Sequence, residues 1–197
     1  MNKRQHLKHL NKVVNKYSSK KSLDSYIDRE FINEEGYAVI NINLYNGVQL
    51  FEPFSYKNQL ELNSEIYDYI DNKVAVIPKD IPLKVIFRGK KISEKNQNEI
   101  KKLIREHYAI KLYEKQKELN LNRDKTIILA MLGIAMLFLY FYLSVRYNNT
   151  LFLEIFSIVA SFSIWEAADF FILGRTKINV ERFHITQKLI QEIEFEE

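Results

Sequence analysis

The chain has 197 residues, of which 47% are hydrophobic and 27% charged, with 29 Lys and Arg against 25 Asp and Glu for a net charge of +4. That length suits one domain, or a small domain with an appendage, and leaves room for one modest core. Cysteine is absent, which excludes a disulfide framework, a thiolate zinc site and a cysteine nucleophile.

The first 22 residues, "MNKRQHLKHLNKVVNKYSSKKS", hold seven basic residues and no acid. Leu7, Leu10, Val13, Val14 and Tyr17 recur as one helical face, so residues 1–22 read as a basic amphipathic helix. One use for Lys3, Arg4, Lys8, Lys12 and Lys16 is attraction to an anionic lipid leaflet, worth up to about 1 kcal/mol per well-placed cation. Docking of the apolar face on the chain's own domain, with the lysines solvated, stands level with it. Nucleic acid ranks third, because a basic stripe without an accompanying motif is a weak signal. Asn11, Lys12, Asn15 and Lys16 interrupt the apolar residues, so no cleaved signal peptide is expected.

Residues 23–120 read as a small α/β domain. "GYAVININLY" (36–45) alternates and is rich in β-branched residues, as a strand requires. A loop containing Pro53 leads to Ser64 as the expected cap of a helix carrying Ile66, Tyr69 and Ile70. Pro78 and Pro82 break the chain before a second strand, Leu83 to Arg88. From Ser93 a longer helix presents Ile100, Leu103, Ile104 and His107 on one face. It either continues through "KLYEKQKELNLNRDK" as a charged stalk or breaks near Asn120. Between strand and helix, "FRGKK" sets Arg88, Lys90 and Lys91 beside a helix N-terminus, a place that can bind anions. A solvated turn is the plainer reading of the same residues.

Residues 126–173 read as a transmembrane helical hairpin. "TIILAMLGIAMLFLYFYLSV" (126–145) is 20 residues without a charge. At about 1.5 Å per residue it spans a hydrocarbon core of roughly 30 Å. The link "RYNNT" precedes a second apolar run, 151–173. Arg123 and Lys125 before the hairpin, with Arg175, Lys177 and Arg182 after it, outnumber Arg146 in the link, so both termini are expected in the cytoplasm. Two buried helices of a soluble bundle are the alternative, but such helices seldom stay free of charge for so long. Small residues, Ser157, Ala160, Ser161, Ala167 and Ala168 on the second helix and Ala130, Gly133 and Ala135 on the first, suit close backbone packing within the hairpin or between copies.

Glu166 and Asp169 interrupt the second run. Three apart, they share a helix face. By helical rise Asp169 is roughly 6 Å and Glu166 roughly 10 Å from the end of the span. An ionisable group in a span is a functional hypothesis by default. Here the leading expectation is structural: Arg123 or Lys125, level with Asp169 on the first helix, would pair with it and lock the hairpin. Contact with a second copy or a membrane partner comes next. Conduction comes last, because two helices do not enclose a pathway. Trp165 is too deep for a headgroup anchor and is expected to pack against protein.

Residues 174–197 read as a helix, "NVERFHITQKLIQ", and a tail, "EIEFEE", whose Ile193 and Phe195 alternate with acids as a half-buried edge strand would. A tail that returns to the first domain makes one sheet from both ends of the chain. The segments "PFSYKNQLELNSEIYDYI", "IPKDIPLKVIFRGKKIS", "IREHYAIKLYEKQKEL", "WEAADFFILGR" and "IEFEE", from about Pro53 onward, resemble a family of small bacterial two-helix membrane proteins with a cytoplasmic α/β domain. The resemblance implies a bacterial cytoplasmic-membrane protein and no particular activity. The basic N-terminal segment lies outside it.

Motifs for catalysis are missing. The glycines at 36, 47, 89, 133 and 174 make neither a P-loop nor a dinucleotide-binding turn. His6, His9, His107 and His184 offer no metal-ligand spacing, and there is no GxSxG elbow. His107 beside Glu106 could in principle move protons, but its place on the apolar face favours a packing role. The expectation is an α+β membrane protein, not an enzyme, without cofactor. Its partners would be the lipid bilayer and a second copy or another membrane protein. Two functions fit: a membrane-tethered interaction, scaffold or regulatory subunit, or a membrane effector of toxin or defence type. In the second, the cytoplasmic domain senses a ligand or partner and triggers hairpin oligomerisation and permeabilisation.

Overall fold

A computed structural model describes residues 31–44, 49–55, 60–78, 80–89, 91–146 and 150–196. The basic segment 1–22, with Lys3, Arg4, Lys8, Lys12 and Lys16, lies outside the described residues, as does Lys90. The described residues up to His107, together with those from Gln187 onward, form one compact unit, and Tyr108–Thr186 form a second.

The first unit is built on three parallel strands. Asn33 opens the way into the sheet by accepting the N–H groups of Glu35 (3.1 Å) and Tyr37 (2.8 Å) on its side-chain oxygen, around Gly36 at φ +84°. Strand β1 (Ala38–Leu44) follows, then helix α1 (Ser64–Val74) and strand β2 (Leu83–Gly89). β2 lies parallel to β1 in a register running from Ala38 opposite Leu83 to Leu44 opposite Gly89. The tail strand β3 (Glu192–Glu196) pairs parallel with the other edge of β2, giving the order β1-β2-β3. Gly89 marks the end of β2: at φ +116° a Cβ would stand 2.9 Å from the Leu44 carbonyl oxygen.

Register explains which residues make the core. Ala38, Ile40, Ile42 and Leu44 of β1 line up beside Leu83, Val85 and Phe87 of β2, and these beside Ile193 and Phe195 of β3, so one sheet face is continuously apolar. All but Phe195 are buried, and the Phe87 and Phe195 rings stack with centroids 5.3 Å apart. Ile66, Ile70 and Val74 of α1, and Ile100 and Ile104 from the next helix, are buried with them.

Asn63, not Ser64, caps α1. Its side-chain oxygen accepts the Glu65 N–H at 2.9 Å, while the Ser64 N–H turns to Glu52 Oε1 at 2.8 Å. Ser64 is therefore the first helical residue, and the expected cap moves back by one. Gln187 donates to the carbonyls of Pro78 (3.0 Å) and Ile81 (2.6 Å), which holds the proline loop before β2. Lys188, almost fully buried, reaches Asp71 of α1 at 2.6 Å.

A parallel pairing needs a crossover connection. Between β2 and β3 that connection consists of the helices that follow β2. Helix α2 (Glu94–Ser144) is 51 residues long and starts at Ser93, whose carbonyl accepts the Gln97 N–H at 2.9 Å. It runs unbroken past Asn120, with Lys115 paired to Glu118 at 2.7 Å and Gln116 bonded to Asn120 at 3.2 Å along its surface. Helix α3 (Thr150–Asp169) continues through a π turn (Phe170–Gly174) directly into helix α4 (Arg175–Leu189). The chain thus mixes helices with a small three-stranded sheet and carries two helices long and apolar enough to cross a membrane.

In the second unit α2 and α3 run antiparallel with a narrow seam. Leu153, Ala160, Ser163 and Ala167 are the buried positions of α3. Opposite them Gly133 lets the backbones touch: a Cβ there would lie 2.5 Å from Ile164 Cγ1 and 3.1 Å from the Ala160 carbonyl oxygen. Of the small residues noted in the sequence, Gly133, Ala160 and Ala167 enter the seam, whereas Ser161 and Ala135 are exposed. Large apolar side chains such as Phe138, Phe141, Ile158 and Phe162 point outward.

Candidate functional site

The polar features of the second unit concentrate where charged helix gives way to apolar helix. The π turn widens α3 by one residue per turn, a device common at functional sites and inherently a place where backbone groups seek partners. The carbonyl of Phe170 receives the Arg175 N–H, and it also accepts the Asn122 side-chain amide at 2.9 Å. Gly174 makes the approach possible, since a Cβ there would stand 2.6 Å from Asn122 Oδ1. Thr126 bonds back to the Asn122 carbonyl at 2.9 Å. Further along the charged helices, Lys115 bridges to Glu181 of α4 at 2.6 Å. Hydrogen bonds from Lys115 to Glu118 and then Glu181 raise its pKa above the ordinary 10.5.

Beside this closure is a cavity of about 460 Å³. Its lining combines Arg123 and Arg175 with the polar Gln116, Asn120, Asn122 and Thr126 and the apolar Leu119, Ile127 and Phe171. Arg123 shares one oxygen of Asp124 through Nε (3.1 Å) and Nη2 (3.0 Å). Arg175 has its guanidinium 5.8 Å from the Phe171 ring and no acidic partner among the described residues.

The lock expected of Asp169 with Arg123 or Lys125 is not the bond that closes the hairpin. Asp169 is exposed, Glu166 is half-buried, and among the described residues neither forms an ion pair. Arg123 is taken by its neighbour Asp124, and Lys125 Nζ lies 5.7 Å over the Phe170 ring. The neutral amide of Asn122 makes the interhelical contact instead, one residue beyond Asp169. Trp165 is 73% exposed, against the expectation that it packs on protein. The seam runs through Ser163 and Ala167, and two residues away along a helix is close to the opposite face.

The other polar cluster belongs to the sheet. Opposite its apolar face, Lys84 of β2 meets Glu194 at 3.0 Å, Glu35 at 3.6 Å and Glu192 at 3.8 Å. The hydrogen bond to Glu194 holds the Lys84 pKa above 10.5. Tyr37 donates to Glu192 at 3.2 Å, and that bond to a carboxylate raises the phenol above its ordinary 10.0. Arg88, an anion-site candidate, is paired with Glu196 at 2.7 Å. Lys91 is at the helix approach and Lys90 lies outside the described residues, so the three cations are not gathered into a shown site. These contacts follow the strand register, Lys84 opposite Glu192 and Arg88 opposite Glu196, and they tie β3 to β2.

His107 stacks on Tyr67 with centroids 3.7 Å apart and planes 11° from parallel. Tyr67 Oη donates to the Leu103 carbonyl at 3.4 Å, and burial, reinforced by Glu61 and Glu106, pushes its pKa up to about 12. Both rings join α1 to α2 and act as packing. Among the described residues no group of three or more His, Asp or Glu could hold a metal ion.

Asn122, Gly174 and Lys84 carry the polar architecture, and reading the sequence for charged sites passed over all three. Gly174 was the available signal: a glycine at the foot of an apolar helix marks a close approach. Comparison of the chain with known protein families, curated proteins and solved structures finds no match.

Proposed function

We propose that the protein is a membrane-tethered interaction or regulatory subunit, a two-helix anchor that presents a small α/β module on the cytoplasmic side of a bacterial membrane. The observation that carries this reading is the exterior of the helical pair. Only 6% and 22% of its apolar windows are buried, and apart from Leu153 the buried positions of the pair are small residues, Gly133, Ala160, Ser163 and Ala167. Core helices of soluble proteins bury their large apolar side chains and expose polar ones. Here Phe138, Phe141, Ile158 and Phe162 face outward, a surface that suits lipid and not water.

The sheet supports an even number of crossings. β2 and β3 are hydrogen-bonded neighbours, so the chain leaving after β2 must return to the same side of a bilayer before β3. The cations that flank the hairpin favour the cytoplasm for that side. Among the described residues of the module, Lys84 and Arg88 are paired with Glu192, Glu194 and Glu196 of the sheet's own strand β3.

Two measurements test the reading. Because the chain lacks cysteine, a single cysteine at Asn148 should react with an impermeant thiol reagent in intact cells, and one at Asn58 should not. Reversed labelling overturns the topology. Purified full-length protein in dye-loaded vesicles should leave them sealed. Leakage that rises with protein concentration would replace the tether by the permeabilising effector.

A further inference from the structure

The cavity beside the π turn joins cations to apolar side chains, a combination that a small soluble anion does not need. It offers the guanidinium of Arg175 and that of Arg123, which spends Nε and Nη2 on Asp124 and leaves Nη1 without an acceptor among the described residues, and the amide of Gln116 donates to Asn120 Oδ1, which leaves the Asn120 amide hydrogens in the same position. The apolar lining is Leu119, Ile127 and Phe171, the last two from the apolar spans. Its volume of about 460 Å³ falls within the roughly 300–1,000 Å³ typical of small-ligand sites. Arg175, held over Phe171 at 5.8 Å with no carboxylate beside it, is a cation with its hydrogen-bonding edge unspent. Guanidinium groups match phosphate oxygens in pairs, and basic pockets between spans at the cytoplasmic level recognise anionic headgroups.

We propose that this cavity binds the phosphodiester headgroup of an anionic phospholipid, with Arg123 and Arg175 on the phosphate, Asn120 as a further donor, and the start of the acyl chains against Ile127 and Phe171. The shared chemistry is a phosphate oxyanion, and the apolar half selects lipid over free phosphate. The site rests on the membrane reading above, because only a span at lipid level brings Ile127 and Phe171 against acyl chains. Bound lipid would also cover the Asn122 to Phe170 contact and couple lipid composition to the closure of the hairpin.

The test uses full-length protein in nanodiscs of phosphatidylcholine with or without phosphatidylglycerol, followed by detergent release and native mass spectrometry. Wild type should retain phosphatidylglycerol and not phosphatidylcholine. Arg123→Gln with Arg175→Gln should reduce retention by about tenfold or more, the scale of losing charge-assisted bonds to phosphate. A control pair at the same level, Lys125→Gln with Lys177→Gln, removes equal charge outside the cavity and should change retention less than about twofold. Equal loss in both pairs overturns the site in favour of diffuse attraction. Displacement of the retained lipid by inorganic phosphate at millimolar concentration overturns the lipid assignment. Carbonate extraction of the same variants separates the two readings. Wild type that washes off the membrane removes the anchor itself, whereas wild type that stays but retains no phosphatidylglycerol removes only the lipid site.

Discussion

The two units of this protein bury different kinds of side chain. The α/β unit buries Ile40, Val85, Phe87, Ile70 and Ile104 almost completely and turns charge outward. The apolar helical pair of the second unit buries Gly133, Leu153, Ala160, Ser163 and Ala167 and turns Phe138, Phe162 and Trp165 outward. In water, apolar area removed from solvent drives assembly at roughly 25 cal/mol per Å². On the membrane reading proposed above, lipid offers no such gain, so close backbone packing and a few interhelical hydrogen bonds must suffice. Large residues fill the core of the sheet, and mostly small ones the seam of the apolar helical pair.

The sharpest way to break that comparison is a matched pair of phenylalanine truncations. Phe87→Ala empties the centre of the sheet, where Phe87 is 1% exposed, and should cost about 3–5 kcal/mol in denaturant unfolding of the micellar protein. Phe138→Ala removes the same ring from a position 72% exposed and should change stability by less than about 0.5 kcal/mol. Comparable losses would mean that the outward ring is buried in an assembly of copies.

Enlarging a small residue should do in the second unit what truncation does in the first. Gly133→Leu drives a side chain into Ile164 and the Ala160 carbonyl, and should cost about 1–3 kcal/mol. Thermal unfolding in detergent, read from helical circular dichroism, measures it, and an unchanged midpoint would mean the seam is not tightly closed.

A smaller effect is expected at the π turn. Asn122→Ala removes one interhelical hydrogen bond, on the order of 0.6–1.7 kcal/mol by the range known for membrane helices. Gly174→Ala should cost a similar amount by pushing the Asn122 side chain away. The two losses should not add, because both break the same contact. Additive losses in the double variant would show that Gly174 is needed for something other than Asn122.

The smallest effect belongs to the charged sheet face. The Lys84 pKa is raised by Glu194 and its neighbours, so its contribution to stability is fully present below pH 10.5 and is lost as pH climbs through the raised folded value. Tyr37, raised by Glu192, loses its bond in the same direction. Above pH 10.5 the thermal midpoint of wild type should fall more steeply than that of Lys84→Met. Parallel curves would mean that Lys84 does not help to hold β3.

Much of this architecture is legible in the residues, for reasons particular to each element. The alternation in Ala38 to Leu44 and in Glu192 to Glu196 coincides with strands because period two sets which side chains share a face. The uncharged run 126–145 coincides with the helical span because length and hydropathy are local properties. Ser64 misleads because serine and asparagine are both good caps, and only the backbone angles of Asn63 decide between them. Asp169 misleads because opposite charges at one level invite pairing, although here Arg123 turns to its neighbour Asp124 and Lys125 lies over the Phe170 ring.

By itself the sequence determined the order of helices and strands, the apolar length of the hairpin, the cationic flanks and the lack of cysteine chemistry. Each of these is a property of neighbours along the chain. Tertiary structure alone decided that β3 joins β2 in parallel at Ile193 opposite Val85, that Gly133 meets Ala160 and Ile164, and that Asn122 finds the carbonyl of Phe170. These contacts join residues tens or more than a hundred positions apart, and hydrogen-bond geometry and close packing choose among partners that composition and spacing leave equivalent.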